Sequence, residues 1–247
     1  MTVLEVTCLS DHRRFTAPRP GPVYALWLQR VGGFLHRVEG REFYVDRMGG
    51  VVLREGQDRQ VAHPTGDMDL GTELRLPEEL AVRLPVGHFM MTREFDRVHR
   101  DVLVACRRGI DDFELADRLY ALIRLVPASP GSRRGVAVDR QRRRAVSDAA
   151  QALAAESLTL GLDALAERVD YSPHHLSRVF RSVTGMTLTA YRNELRVRAV
   201  LEDLHAGETS LLVLAARYGF ADQAHLTRVM RRHRDATPAE MRRLSRP

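Results

Sequence analysis

The sequence predicts an α+β protein of two domains, with antiparallel strands and trailing helices first and an all-α domain second. Short apolar runs cut by turn signals fill residues 3–84, which is typical of antiparallel strands. Apolar residues take up helical spacing over about residues 92–126 and again after the stretch PASPGSRRG, whose Pro, Gly and Ser indicate a linker. The predicted parts are a domain of residues 1–126, a linker of 127–138 and a domain of 139–247.

The strands of the first domain are predicted from runs rich in Val, Leu, Phe and Tyr. The runs VYALWLQRV, FLHRVEGREFYV and VVLREG are separated by the turn signals Gly32-Gly33 and Gly49-Gly50. Segments of this length and spacing favour a small antiparallel barrel or sandwich.

Two helices on either side of the linker are predicted with their buried faces. Asp111 and Glu114 give the first a start like a capping box. Its expected apolar face consists of Phe113, Ala116, Leu119, Tyr120 and Ile123. The second helix is predicted over about residues 139–156, and its RQRRR run is a solvated face or a phosphate contact. Its expected inward residues are Val146, Ala149, Ala150 and Leu153.

Charge and composition exclude several classes of protein. The net charge is +6, all 38 basic residues are arginine, and residues 138–247 carry +5 of that charge, so a polyanionic partner is expected for the second half. No window approaches eighteen uncharged apolar residues, and the N-terminus lacks the pattern of a secretory signal. Cys8 and Cys106 cannot form a disulfide scaffold or a zinc ribbon and are interpreted as buried or inert thiols in a cytoplasmic setting.

An internal repeat is the most informative feature of the second domain. HHLSRVFRSVTGMTLTAYR, residues 174–192, aligns with AHLTRVMRRHRDATPAEMR, residues 224–242, at an offset of 50 residues. Each copy follows a short amphipathic helix and a tight turn, and the second turn is one residue longer. Two helices joined by a short turn, the second of them basic, are typical of a helix-turn-helix. The residues expected in the two cores are Leu176, Val179, Phe180, Leu226, Val229 and Met230.

Capping residues set the predicted helix ends. Ser172 before Pro173 begins the first recognition helix and Gly185 ends it, while Asp222 begins the second. Ser210 caps the helix before the second turn, where the first copy has the weaker cap Gly161. A final helix starts with a capping box at residues 237–240.

The helix between the copies, roughly residues 188–206 and closed by Gly207, is predicted to act as a strut. About eighteen residues at roughly 1.5 Å each span about 27 Å. Recognition helices in successive major grooves lie about 34 Å apart. A strut of this length, with the width of its packing, therefore allows one chain to contact two adjacent half-sites.

These residues resemble the AraC/XylS family of bacterial transcription regulators. The second copy is similar to the C-terminal signature of that family, with an apolar helix, Gly219-Phe220, the run HLTR, Thr237-Pro238 and Arg242. The resemblance covers roughly residues 139–244. The sequence departs from the family in Met230, where Phe is usual, and in Arg234-Asp235, where an aromatic-Gly pair is common, and these changes are expected to loosen local packing.

The resemblance implies which residues contact DNA. The base-reading positions of the family fall on His174, Ser177 and Arg178 in the first copy, and on Gln223, His225, Thr227 and Arg228 in the second. Arg suits guanine and Gln suits adenine, while a salt bridge within the bundle is the alternative for Arg178 and Arg228. The arginines expected at phosphates are Arg181, Arg192, Arg231 and Arg232.

The first domain resembles the cupin-like sensor domain that many members of this family carry, so a cupin-like β-barrel is expected. If it holds a small-molecule effector, the expected lining is Trp27, His36, Tyr44 and His63, with plain strand packing as the alternative. No metal and no cofactor are expected, because the histidines lack metal-ligand spacing. The helices of residues 92–126 are expected to form a homodimer or to pack on the barrel.

The expected function is sequence-specific binding of double-stranded promoter DNA to regulate transcription, without catalysis. RNA polymerase is a further expected partner, and no membrane contact is expected. The alternative is a DNA-repair or other enzyme fused to the same DNA-binding module. Alkyl-transfer chemistry of that kind needs a cysteine cluster, which Cys8 and Cys106 do not supply.

Overall fold

The structure is a computed structural model that describes residues 1–9, 12–64, 68–128, 140–156, 158–208 and 210–245. The chain divides into two compact units, Met1–Met90 with Ala128–Arg192 and Met91–Pro127 with Asn193–Pro247. The predicted linker, except for its first two residues, lies outside the described residues, and the predicted domain boundaries stay a prediction. Within the described ranges, no helix is both long and apolar enough to cross a membrane.

The strands of the first unit form two antiparallel sheets. The strands are β1 (Thr2–Cys8), β2 (Arg19–Pro20), β3 (Ala25–Val31), β4 (Phe34–Val38), β5 (Arg41–Val45), β6 (Gly49–Leu53), β7 (Asp58–Ala62), β8 (Asp69–Arg75) and β9 (Gly87–Met90). One sheet has the order β1-β8-β3-β6-β9 and the other the order β2-β7-β4-β5.

The expected antiparallel strands are confirmed, but the described strands form two open sheets and do not confirm the expected cupin-like barrel. Among the described strands, β1 and β9 remain the edges of one sheet, and β2 and β5 the edges of the other. The strand β2 is two residues long and ends in Pro20, which has no backbone N–H to donate to a further strand. This edge of the second sheet therefore cannot extend to a further strand as an ordinary edge can.

Aromatic side chains fill the space between the two sheets. Trp27 on β3 meets Phe34 on β4 edge to face, with ring centroids 6.1 Å apart. A Cβ at Gly71 would lie 2.3 Å from the Trp27 ring, so the indole covers a position that only glycine can occupy without a shift. The sheets therefore share one core, whose buried members include Ala25, Phe34, Val45, Val51 and Leu53.

Helices complete the first unit. The described helices are α1 (Glu78–Ala81), α4 (Arg140–Gln151), which continues as a π-helical segment (Ala152–Glu156), α5 (Leu162–Arg168) and α6 (Pro173–Thr184). The inward face predicted for α4 is confirmed, since its four predicted residues are at most 6% exposed. The hydroxyl of Ser147 on α4 accepts a hydrogen bond from the backbone N–H of Tyr44 on β5 at 2.9 Å.

The second unit is helical. It contains α2 (Arg93–Arg108), α3 (Asp112–Ile123), most of α7 (Leu188–His205), α8 (Leu211–Arg217), α9 (Gln223–Arg234) and α10 (Pro238–Ser245). Its core lies where α7, α8 and α9 meet, with Val200, Leu201, Leu214 and Leu226 fully buried.

The face predicted for α3 is partly wrong. Asp111 caps the helix as predicted, but Phe113 is 87% exposed and Tyr120 is 46% exposed. Each residue turns the helix by about 100°, so both lie nearly opposite Leu122. The buried face consists of Leu119, Leu122 and Ile123.

Candidate nucleic-acid interface

The first recognition helix, α6, has the ends that the sequence predicts. The Ser172 hydroxyl accepts a hydrogen bond from the His175 N–H at 3.2 Å. At the other end Gly185 takes a left-handed conformation, φ 75°, which glycine adopts without steric cost. The turn before it covers residues 169–172.

The second recognition helix, α9, is capped in the same way. The Asp222 carboxylate accepts from the His225 N–H at 2.6 Å, and the turn before α9 covers residues 218–222, one residue more than in the first copy. The predicted cap Ser210 accepts from the Val213 N–H at 3.3 Å, whereas Gly161 makes no side-chain cap bond. The predicted capping box between Thr237 and Glu240 is also present.

Both recognition helices bury the faces that the sequence predicts. The six residues expected in the two cores are all at most 9% exposed. Met230, where the family usually has Phe, is fully buried. The repeat thus produces the same inward face twice, which leaves the opposite face of each helix to the solvent.

The outward faces of α6 and α9 repeat at the same offset of 50 residues. His174, Arg178 and Arg181 are exposed at spacings of four and three, and Arg228 and Arg231 occupy the matching places on α9. Arg178, Arg181, Arg228, Arg231 and Arg232 make no side-chain ion pair with any residue that the structure describes. The alternative of a salt bridge inside the bundle is therefore not seen for Arg178 or Arg228.

Ring contacts in the preceding turns orient the second histidine of each copy. His175 meets Tyr171 edge to face at 4.5 Å, and His225 meets Phe220 at 5.6 Å. The Nδ1 of His225 accepts from the Ala221 N–H at 3.2 Å, so the neutral ring carries its proton on Nε2. That Nε2–H is a donor suited to a base or phosphate oxygen.

The other predicted contact residues differ in how much of each side chain is available. Gln223 is exposed, and Ser177 and Thr227 are partly buried. The Thr227 hydroxyl donates a hydrogen bond to the Gln223 carbonyl at 2.8 Å, and its oxygen can still accept a hydrogen bond from a base. Arg192 is partly buried and donates to the Leu160 carbonyl at 3.2 Å, unlike the exposed arginines expected at phosphates.

A cluster of buried charges holds the last turn of α9, and sequence analysis did not find it. This α9 ion cluster consists of Asp96 and Arg100 on α2, Glu194, Arg198 and Glu202 on α7, and His233 and Arg234 on α9. Arg234 donates to Glu194 at 2.6 Å and to Asp96 at 2.9 Å. Arg234 therefore does not loosen the packing as expected, because its side chain is 4% exposed and fixed by two carboxylates.

The arginines of the α9 ion cluster keep its carboxylates ionised. Burial raises the pKa of Asp96, but the guanidiniums of Arg100, Arg198 and Arg234 outweigh burial and hold that pKa well below its usual range. Burial likewise raises the pKa of Glu194, and hydrogen bonds from His233 and from the arginines lower it further than burial raises it. Both side chains thus remain negative while the unit is folded.

The sequence does contain a signal for this cluster. Asp96 with Arg100, and Glu194 with Arg198, are opposite charges four residues apart, a spacing that places them on one helix face. Both pairs lie among apolar residues that point into the core. A charged pair on an apolar face indicates a buried ion pair that needs further partners.

Three of the four residues expected around an effector meet between the sheets. The ring of Phe34 lies 6.1 Å from Trp27, 6.2 Å from His36 and 6.0 Å from His63. Burial lowers the pKa of His36 to about 4, so this ring is neutral at pH 7. The Tyr44 hydroxyl instead lies close to the backbone of Gly33.

Comparisons with known proteins identify the helical part of the chain. A family model described as a helix-turn-helix domain matches residues 165–244. "Probable transcription factor PqrA" of Proteus vulgaris is 36% identical over 81 residues, which cover 33% of this chain and 66% of PqrA. The regulatory protein SoxS of Salmonella typhimurium is 34% identical over 83 residues, covering 34% of this chain and 78% of SoxS. The chain thus spans just under two thirds of the first of these relatives.

A solved structure, ToxT from Vibrio cholerae, aligns with 98% of this chain and 97% of its own at 10% identity, with a TM-score of 0.41, too low to establish a common fold. The relatives in sequence carry the assignment, and the range matched by the family model, residues 165–244, contains both capped recognition helices. The chain belongs to the AraC/XylS family of transcription regulators.

Proposed function

We propose that the protein regulates transcription by inserting α6 and α9 into successive major grooves of a promoter. The observation that carries this proposal is the repetition, at 50 residues, of a capped helix with a buried apolar face and an exposed polar face. A helix N-terminus that presents Arg, Gln and hydroxyl side chains fits base edges in the major groove.

The side chains of the two helices divide into base-reading and phosphate-binding groups. His174, Ser177 and Arg178 read bases in one half-site, and the residues that read the other are Gln223, His225, Thr227 and Arg228. Arg181, Arg231 and Arg232 are exposed later along the helices and bind phosphates, which position the protein without carrying sequence information. Arg192 joins this group if its bond to the Leu160 carbonyl opens.

The N-terminal half modulates this binding. Asp96 on α2 pairs with Arg234 at the end of α9, so a shift of α2 changes the support of a recognition helix. A cavity of about 730 Å³ lies beside this contact, between α2, α3 and the end of α9, and its lining includes Arg97, Arg118 and Met241. A small molecule bound in this cavity contacts both α2 and the end of α9, the two helices that the Asp96–Arg234 pair joins.

Further parts of the proposal concern the partners. The two-sheet region is a cupin-like sensor, whose effector contacts Trp27, His36, Tyr44 or His63. The helices α2 and α3 contribute to a homodimer, and the DNA-bound protein contacts RNA polymerase. The protein acts on the chromosome, hence in the cytoplasm, and carries out no catalysis.

Binding assays on variants test the proposal directly. Genome-wide binding of the tagged protein first supplies the operator, and fluorescence anisotropy then compares operator and scrambled duplexes at several salt concentrations. We expect Arg228→Ala to cost about 1–3 kcal/mol at the operator and to relax specificity at one base pair. We expect Arg231→Ala to weaken both duplexes alike and to reduce the salt slope by about 1.

Arg75→Ala is the matched control, because Arg75 is an exposed arginine on β8 that pairs with Glu73 at 2.8 Å. It removes the same charge without touching either recognition helix. Equal affinity of the wild-type protein for the operator and for scrambled DNA would contradict the proposal.

A further inference from the structure

Three side chains of the first unit, Cys8, His63 and Asp69, form a chain of contacts that the DNA-binding function does not use. Cys8 ends β1, and Asp69 begins β8 directly opposite it in the antiparallel register. His63 follows β7 of the other sheet and lies between them. Its Nε2 is 3.8 Å from the Cys8 sulfur, and its Nδ1 is bonded to the Asp69 carboxylate.

The Asp69 carboxylate fixes the state of the His63 ring. Because Nδ1 donates a hydrogen bond to the Asp69 carboxylate, Nε2 is the ring nitrogen that faces the Cys8 thiol and can accept its proton. The other Asp69 oxygen accepts from Gln29 at 3.1 Å, and Gln29 accepts from the Trp27 indole N–H at 2.8 Å. Side-chain contacts thus connect Trp27 to Cys8 without a break.

The groups that orient the Cys8 thiol are buried. His63 is 5% exposed, Asp69 is 2% exposed and Gln29 is 1% exposed. Cys8, the last residue in this series of side-chain contacts, is only partly buried. A Cβ at Gly32 would lie 2.2 Å from the Asp69 carboxylate, so the backbone there is shaped around this group. The orienting groups are therefore inside the unit and the nucleophilic atom is at its boundary.

We infer that Cys8 is a reactive thiol, activated by His63, that adds covalently to soft electrophiles of the α,β-unsaturated carbonyl class. A nucleophile, a base within reach and a carboxylate that orients the base are the three parts of an activated thiol. Cys8 is then a modification site rather than one of two inert thiols.

The addition balances without any further reactant. The Cys8 thiol gives its proton to Nε2 of His63, and the resulting imidazolium is stabilised by the Asp69 carboxylate. The thiolate attacks the β-carbon of the electrophile, so a C–S bond forms and the C=C electrons move to the α-carbon as an enolate. The imidazolium returns the proton to that carbon, which leaves a thioether on Cys8 and a neutral His63.

Cys106 on α2 provides an internal control. Burial raises the pKa of its thiol, which lowers its thiolate fraction at pH 7. The protein is treated at pH 7 with N-ethylmaleimide, an α,β-unsaturated carbonyl probe, and the adduct at each cysteine is followed by peptide mass spectrometry. We expect Cys8 to react at least about tenfold faster than Cys106, and the ratio to approach one in denaturant.

Variants separate activation by His63 from simple exposure of the thiol. We expect His63→Gln to slow Cys8 by at least about tenfold and to leave the Cys106 rate unchanged. Asp69 is a positioning residue, so Asp69→Asn should slow Cys8 and also shift the His63 tautomer seen in ¹⁵N NMR spectra. Cys106→Ser should leave the Cys8 rate unchanged.

Two results would overturn the inference. One is a native Cys8 rate no higher than that of Cys106, and the other is a folded His63→Gln variant that reacts as fast as the wild type. If circular dichroism shows that His63→Gln does not fold, the rate of Cys8 alone decides the question, because an activated Cys8 reacts faster in the native wild-type protein than in denaturant.

Discussion

Replacing Glu194 by Gln tests how the second recognition helix is supported. In the α9 ion cluster the carboxylates of Asp96, Glu194 and Glu202 face the guanidiniums of Arg100, Arg198 and Arg234. All six side chains are at most 8% exposed. The half-exposed Arg93 also lies 3.5 Å from Glu194. Glu194→Gln keeps the shape but leaves one buried positive charge without a counter-charge.

The expected loss is large for a single substitution. Breaking a buried ion pair on one side costs about 3–5 kcal/mol, because the remaining charge stays desolvated. The free energy of unfolding of a whole domain is about 5–15 kcal/mol. At about 2–4 °C per kcal/mol for a chain of this size, the Tm should fall by roughly 6–20 °C.

Glu114→Gln supplies the matched control. Glu114 accepts from Arg118 at 2.6 Å, but the two side chains are 51% and 40% exposed. An exposed pair at this spacing is worth about 0.3–0.5 kcal/mol. The chemical change is the same in both variants, so the difference between them reports burial.

Urea unfolding of the wild-type protein and both variants, followed by circular dichroism, measures the difference. Amide hydrogen exchange should also show faster opening of α9 in Glu194→Gln than in Glu114→Gln. If the two variants lose the same free energy of unfolding, the α9 ion cluster does not stabilise the unit and the reasoning from its burial is wrong.

Three further predictions concern helix ends and acid. Gly161→Ser should stabilise the protein by about 0.5 kcal/mol, because Ser210 caps the equivalent helix and nothing lies within 4 Å of a Cβ at Gly161. Thermal unfolding measures the gain, and a lower Tm than that of the wild type would contradict the prediction. Gly185→Ala should cost about 1–2 kcal/mol in urea unfolding, because φ is 75° there, and an unchanged midpoint would contradict the role of that conformation. Because the pKa values of Asp96 and Glu194 are lowered in the folded state, their ionised carboxylates should stabilise the fold fully above the ordinary pKa values of 3.8 and 4.5. This contribution should be lost progressively as the pH falls below those ordinary values. A pH titration of the Tm checks the prediction, and a Tm that stays constant below pH 4.5 would contradict it.

The recognition helices could be predicted from the sequence because their signals are local. Ser172, Gly185 and Asp222 form hydrogen bonds with backbone groups three or four residues away. Contacts between such near neighbours can be recognised from the order of the residues alone. The repeat then supplied an independent check, since the same apolar spacing had to bury two sets of residues. Hydrogen bonds and the conformation of Gly185 confirm the predicted helix ends, and burial confirms the predicted apolar faces.

The supports of those helices could not be predicted, because they join distant parts of the chain. Asp96 and Arg234 are 138 residues apart, and nothing near either residue identifies the other. The prediction of the buried face of α3 was partly wrong for a different reason. Phe113 and Tyr120 are aromatic but lie on the side of the helix opposite Leu122, and periodicity alone does not separate an exposed aromatic residue from a buried one. The two open sheets likewise depend on which edges pair, a property of the whole sheet.

The two copies of the motif differ in how each is joined to the N-terminal half of the sequence. In the first unit, Phe180 of α6 packs edge to face on Tyr191 at 5.1 Å, and the Tyr191 hydroxyl donates to Asp46, which follows β5. In the second unit, Arg234 of α9 pairs directly with Asp96. Each recognition helix therefore depends on one buried carboxylate of the N-terminal half, through a neutral phenol in one copy and through a guanidinium in the other. Removing the charge of Asp96, as in Asp96→Asn, should therefore loosen α9 and leave the contact between α6 and Tyr191 in place, so the two half-sites need not lose affinity together.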